Sequence, residues 1–244
     1  MWYSMSEKAK AVAMEKVQKS FEGLTALHEC SWHLDAGGML CIAGSDGAGK
    51  STMLRLAAGL LQPDTGTVTV DGQDVQKARQ QVGYMAQAFS WYTGLSIEEN
   101  LKFACNLYGM EKKYAAEYRD EILQFVGLYR FKDRLAGRLS GGMKQKMALA
   151  AAIIHSPAVL LLDEPSTGVD PVSRQELWEL ISSLNEKGTA VAVATPYFDE
   201  TEYCREVMLL DKGRILVHDS LQNLKMRADN MEDLYFELTA DDDI

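Results

Sequence analysis

Cysteine and histidine are scarce in this chain, four of each among 244 residues. Cys30, Cys41, Cys105 and Cys204 stand far apart, with neither a CxxC pair nor a zinc-ligand spacing, so they read as reduced packing residues. The histidines are equally dispersed. Long apolar runs are also missing: the longest, Met147 to Ile154 and Val159 to Leu162, fall well short of the roughly 18 residues a membrane span needs and read as a buried helix and a buried strand. The chain alone therefore forms no pore. Basic excess is absent as well, because the formal charge is −10. A polyanion rewards clustered Lys and Arg, so nonspecific grip on nucleic acid or anionic lipid is excluded, and any membrane contact has to be made through protein. Met1 to Lys16 has no apolar core of the kind a secretory signal carries, which makes the cytosol the expected compartment.

With 47% apolar and 25% charged residues, the chain is long enough to bury one large core, or a core with a smaller satellite. Apolar runs of strand length, Met39 to Ala43, Val159 to Leu162 and Ala190 to Ala194, alternate with helical patterns, which predicts an α/β fold built on a mainly parallel sheet. Thr67 to Val70, closed by Asp71-Gly72, and Met208 to Leu210, joined through Asp211-Lys212-Gly213 to Ile215 to Val217, predict an antiparallel flap. From about Ser90 to Gly137 strand signals give way to helical ones, Ile97 to Leu107 and Ala115 to Val126, which predicts a helical insertion. No repeat or Pro/Gly/Ser-rich linker interrupts the chain, and the acidic ending Asp241 to Asp243 reads as a solvated tail.

Gly44-Ser45-Asp46-Gly47-Ala48-Gly49-Lys50-Ser51, followed by Thr52, fits a phosphate-binding loop, whose glycines let backbone N–H groups turn inward at a helix N-terminus. In that reading Lys50 reaches the β and γ phosphates and Ser51 the magnesium. The alternative is an ordinary glycine-rich turn, which the position between an apolar strand and an amphipathic helix disfavours. Val159 to Glu164 is a buried strand ending in two carboxylates. Ligands of parallel sheets sit at the carboxyl ends of strands, so Asp163 is placed to hold magnesium through water and Glu164 to act as general base. Leu139-Ser140-Gly141-Gly142 precedes a helical run and offers a hydroxyl and free N–H groups at another helix start, or a plain N-cap.

These motifs, in this order, resemble the ATP-binding domains of ABC transporters, a likeness that covers about 17–218. The resemblance implies a P-loop NTPase core, ATP and Mg2+ as cofactors, and a head-to-tail dimer in which Ser140, Gly141 and Gly142 bind the γ phosphate held by the other subunit's loop. It implies that Phe21 stacks on adenine, that Gln87 touches magnesium, and that Asp170, in the D-loop Ser166-Thr167-Gly168-Val169-Asp170, signals across the dimer. Leu95 to Leu101 looks like the stretch that meets a membrane subunit's coupling helix. The expected organisation is a single domain over 1–244, with a core at about 17–90 and 138–220, a helical subdomain at about 91–137 and an extension from 221. The expected partners are a second ATPase subunit, identical or not, and separate transmembrane permease subunits, which would hold the chain on the cytoplasmic face of the membrane. Ser90 to Ser96 and Tyr197 to Glu202 look most like exporters of drugs, polysaccharides and lipids, and Asp46 agrees with a branch of those exporters that often carries tandem ATPase domains.

One position departs from the family. Its switch histidine normally follows the Thr that ends the strand after the D-loop, and here Pro196 follows Thr195. Proline has no donor side chain and no N–H, so slow hydrolysis is expected. A catalytically weak nucleotide switch is thus one alternative; a soluble ATPase of DNA or ribosome work is another, disfavoured by the lack of coiled-coil arms, zinc motifs and basic surface.

Overall fold

The computed structural model describes residues 9–240, side chains excepted at 112–114. Met1 to Lys8 and the acidic ending lie outside the described residues. Strands β1 (Lys10–Phe21) and β2 (Leu24–Asp35) form a long hairpin closed by Glu22 and Gly23, both with positive φ, as a two-residue turn of matching twist requires. After β3 (Met39–Ala43) and α1 (Lys50–Ala57), β4 (Thr65–Val70) and β5 (Gln73–Asp74) make a second tight hairpin, and α2 (Val75–Ala78) leads to β6 (Val82–Met85). Helices α3 (Ile97–Leu107), α4 (Lys112–Phe125) and α5 (Gly141–Ile153) precede β7 (Val159–Asp163), α6 (Pro171–Glu186) and β8 (Ala190–Thr195). A 3-10 segment (Phe198–Tyr203), β9 (Glu206–Asp211), β10 (Arg214–Ser220), α7 (Leu221–Lys225) and α8 (Met231–Ala240) complete the order.

The strands form two sheets, an antiparallel one ordered β2-β1-β4-β5 and a six-stranded one ordered β10-β9-β3-β8-β7-β6. In the larger sheet β9, β3, β8, β7 and β6 run parallel and only β10 is antiparallel. The hairpin of residues 208–217 thus does not join the flap, contrary to the sequence expectation. Val207 to Leu210 is an unbroken apolar run and fully buried, which suits a strand covered on both faces rather than an edge ribbon.

The period-two alternation of strands divides the core between the two faces of this sheet. Met39, Cys41, Leu160, Leu162, Val191 and Val193 pack with α3 to α6 on one side. Leu40, Ile42, Val159, Leu161, Ala192 and Met208 pack on the other side with α1 and the antiparallel sheet, including Val12, Trp32 and Met53. All four cysteines are free and buried. Among the described residues, no helix is long and apolar enough to cross a membrane.

Candidate nucleotide site

The carboxyl ends of β3, β8, β7 and β6 lie side by side, and the segments that follow β3, β7 and β6 line one cleft, with β8 holding the Glu164 N–H between them. β3 runs into the glycine-rich loop, whose first residue presses on β9: a Cβ on Gly44 would stand 2.0 Å from the Leu210 carbonyl oxygen. The loop ends on Gly49 (φ 104°), and α1 starts without a side-chain cap, so its first N–H groups remain available to an anion. Lys50 is 4% exposed. Its Nζ donates to the carbonyls of Gly44 (2.8 Å) and Ser45 (2.9 Å), a resting place inside the loop's own curl. Burial pulls this ammonium below its ordinary pKa, against the charges of Glu164, Asp46 and Asp163. Asp46 to Thr52, with Ala26, Gln87 and Glu164, line a cleft of about 250 Å³.

Asp163 ends β7 fully buried, and both of its oxygens are engaged. Ser51 Oγ donates to Oδ1 at 2.8 Å, and the Tyr84 hydroxyl to Oδ2 at 3.0 Å. Burial first, and then the Asp163 charge, push the Tyr84 phenol up to about 12, so it stays a donor at neutral pH. Glu164 takes a left-handed backbone (φ 51°), unusual for a residue with a Cβ and held here by its N–H, which donates to Ala194 O at 2.8 Å. Its Oε2 accepts Gln87 Nε2 (2.8 Å) and Thr167 Oγ1 (3.2 Å). The donor set around Ser51, Asp163 and Gln87 is a hydroxyl, a carboxylate and an amide carbonyl. These hard oxygen ligands fit Mg2+, which keeps several waters and takes few protein ligands.

Lys50, Ser51, Gln87 and Glu164 thus line one cleft, with Asp163 bonded to Ser51, whereas Phe21, Ser140, Gly141 and Gly142 lie outside that lining. Phe21 stands at the tip of the first hairpin, 42% exposed, with Lys19 Nζ 5.4 Å from its ring, and is not part of the cleft lining. Ser140 caps α5 through the Met143 N–H (3.3 Å), and Ser140, Gly141 and Gly142 also lie outside the lining. Their glycines serve a close approach: a Cβ on Gly141 would meet Gly168 O at 2.9 Å, and one on Gly142 the Ser173 Cβ at 2.5 Å. Asp170 caps α6 through the Ser173 N–H at 3.0 Å, with Pro171 at the first helical position. His28 and His33 lie in β2, His155 follows α5 and His218 lies in β10, so no histidine among the described residues stands at the end of β8, where Pro196 directly follows Thr195.

Sequence reasoning missed the group that orders this region. Glu200 is fully buried. Its Oε1 accepts Ser166 Oγ (2.5 Å), Arg174 Nε (2.7 Å) and Trp178 Nε1 (3.0 Å), and its Oε2 accepts Thr195 Oγ1 (2.5 Å). One carboxylate thereby joins the loop after Glu164, helix α6 and the strand end before Pro196. In the sequence it is one acid of Asp199-Glu200, and nothing marks it apart from a solvated neighbour. Tyr84 and Thr167 carry equally little signal.

The model of the ABC transporter family matches residues 27–167. The probable multidrug ABC transporter ATP-binding protein YbhF of Escherichia coli (strain K12) is 42% identical over 217 residues, 84% of this chain and 36% of that protein. The chain thus spans about a third of that relative's length. The daunorubicin/doxorubicin resistance ATP-binding protein DrrA of Streptomyces peucetius is 34% identical over 225 residues, 90% of this chain and 68% of that protein. Among solved structures, the ATP-binding subunit of an ABC transporter aligns with a TM-score of 0.84 at 25% identity, covering 94% of this chain and 99% of that one. A dimeric bacterial ABC transporter cassette aligns at 0.80 and 25% identity, covering 86% and 98%. With a glycine-rich loop and an acidic strand end already side by side in the sheet, the chain belongs to the ABC transporter family, as one of its ATP-binding domains.

Proposed function

We propose that this chain binds and hydrolyses ATP to power transport through separate transmembrane subunits, in the direction of export. The observation that carries the reading is the convergence, in one cleft, of the buried Lys50, the Ser51 and Asp163 pair and the Gln87 and Glu164 pair. On ATP binding Lys50 exchanges the Gly44 and Ser45 carbonyls for the β and γ phosphates, while Gly47, Ala48, Gly49 and Thr52 line the cradle with backbone N–H groups. Ser51, Asp163 and Gln87 would hold Mg2+, which when bound neutralises charge on the β and γ phosphates. Glu164 accepts the proton of the attacking water, and Gln87 and Thr167 fix the orientation of its carboxylate.

Three features support the wider reading. Ser140 to Gly142 stand exposed or packed on the D-loop outside their own chain's cleft, as a signature that completes another subunit's site would, and the partner is a second ATPase chain, identical or related. Phe21, exposed at a hairpin tip, is free to stack on adenine. Tyr92, Phe103 and Leu107 form an exposed apolar patch, with Tyr92 and Phe103 edge to face at 5.2 Å. The buried Asn100 ties that loop to α3 by exchanging hydrogen bonds with both the N–H and the carbonyl of Tyr92. Residues 91–137 therefore present a stiff apolar surface suited to a permease's coupling helix, with the chain peripheral to the cytoplasmic face. The relatives' multidrug and daunorubicin/doxorubicin-resistance names favour a drug-type exporter. Pro196 slows turnover by withholding a donor. Calorimetric titration of ATP tests the reading: Lys50→Ala should remove most of the affinity, and an unchanged dissociation constant refutes it.

A further inference from the structure

Asp211 ends β9 and is buried, and Ser45 is the second residue of the phosphate loop. A phenol from the other end of the chain stands between them. Tyr235 in α8 is 7% exposed, its hydroxyl 2.7 Å from Asp211 Oδ1 and 3.0 Å from Ser45 Oγ, while Ser45 Oγ lies 3.3 Å from the same carboxylate oxygen. A phenol has one proton to give. The shorter contact and the anionic acceptor assign it to Asp211, and the Ser45 hydroxyl completes the triangle by donating in turn. Burial first, and then the Asp211 carboxylate, hold the phenol above its ordinary pKa, so the donor persists at neutral pH.

Ser45 is one of the residues that tie the loop to itself. Its carbonyl accepts both Lys50 Nζ (2.9 Å) and the Ala48 N–H (3.2 Å), so moving Ser45 moves the resting place of the phosphate-binding cation. The same wall, the turn after β9, holds the loop again where the Gly213 N–H donates to Ala48 O at 2.9 Å. The Tyr235 ring also packs on Phe198, centroids 4.9 Å apart, in the 3-10 segment that carries Glu200. Helix α8 therefore touches both the phosphate loop and the segment that follows Pro196.

We propose that Tyr235 is a positioning residue for ATP: through Ser45 and Asp211 its hydroxyl presets the phosphate loop, which makes α8 part of the nucleotide site. This rests on the ATP-binding reading above. A cradle ordered before the ligand arrives spares the ligand that ordering cost, so the effect appears in affinity rather than in chemistry.

The test uses the full chain with Tyr235→Phe, Ser45→Ala and the double variant. Tyr235→Phe keeps the ring and its Phe198 contact and deletes only the donor. ATP dissociation constant and KM should rise about three- to tenfold, the range of one net hydrogen bond, while kcat at saturating ATP stays within about twofold. The double variant should bind no worse than the weaker single one, because both act through one contact. Unchanged ATP affinity in Tyr235→Phe or in Ser45→Ala, even with a lowered melting temperature, overturns the proposal, as do strictly additive effects. Lys50→Ala separates the two levels: if it leaves ATP binding intact the ATP reading itself fails, and if it abolishes binding while Tyr235→Phe is neutral, only the role of Tyr235 falls.

Discussion

Replacing Glu200 by alanine should be among the most damaging single changes in this chain. It strips a common acceptor from Trp178 Nε1, Ser166 Oγ and Thr195 Oγ1, on residues 0%, 3% and 0% exposed. Each buried donor left without a partner costs about 1–3 kcal/mol. Arg174 keeps Asp199, whose side chain is 70% exposed, and the Tyr197 ring, 5.0 Å from its guanidinium, and such solvated contacts return little. Removing one partner of a buried, hydrogen-bonded charge pair costs about 3–5 kcal/mol, and we take that range for the whole, since the orphaned donors are not independent. At roughly 2–4 °C per kcal/mol for a domain of this size, the melting temperature should fall by about 6–20 °C. Glu200→Gln, which keeps an acceptor on one side, should lose clearly less. Thermal unfolding followed by circular dichroism measures both. A loss under about 1 kcal/mol for Glu200→Ala means that the four donors find water or other partners, and the idea of Glu200 as an organising centre is then wrong.

Other expectations follow from the same geometry. Gly44→Ala drives a methyl into the Leu210 carbonyl, where backbone and not a flexible side chain has to yield; the chain should lose about 1–3 kcal/mol in a denaturant melt, and full retention of stability contradicts the close approach. Glu164→Gln preserves shape while removing the base, so gel filtration with ATP and Mg2+ should show a dimer that the parent chain does not accumulate. Pro196→His should raise single-turnover hydrolysis by up to about 10²-fold with little change in ATP affinity, since one preorganised donor is worth that much in a transition state. A level or lower rate in the folded variant makes Pro196 a tolerated turn residue.

The parallel sheet was legible because β3, β7 and β8 are unbroken apolar runs, and α3 was legible from its helical pattern, its start fixed in the structure by a capping box of Ser96 and Glu99. The long β1 and β2 ribbon left no such trace. Lys16 takes a positive φ, and the pairing shifts register between Met14 and Val17, so the alternation that marks a strand is broken in mid-course. The cleft was readable where a motif fixes spacing, as at Lys50, Ser51, Asp163 and Glu164. Glu200, Tyr84 and Tyr235 come from segments remote in sequence, and their roles depend on which donors the fold carries to them, a tertiary fact with no local pattern.

The central claim is that the cleft hydrolyses ATP with Glu164 as the base that activates water. Its most direct measurement is the single-turnover rate of ATP cleavage by the assembled protein, parent against Glu164→Gln, at saturating ATP and Mg2+. A slow but detectable parent rate that falls by about 10²–10⁴ in Glu164→Gln, with ATP still bound, is the predicted result. Equal rates in the two proteins would contradict the account.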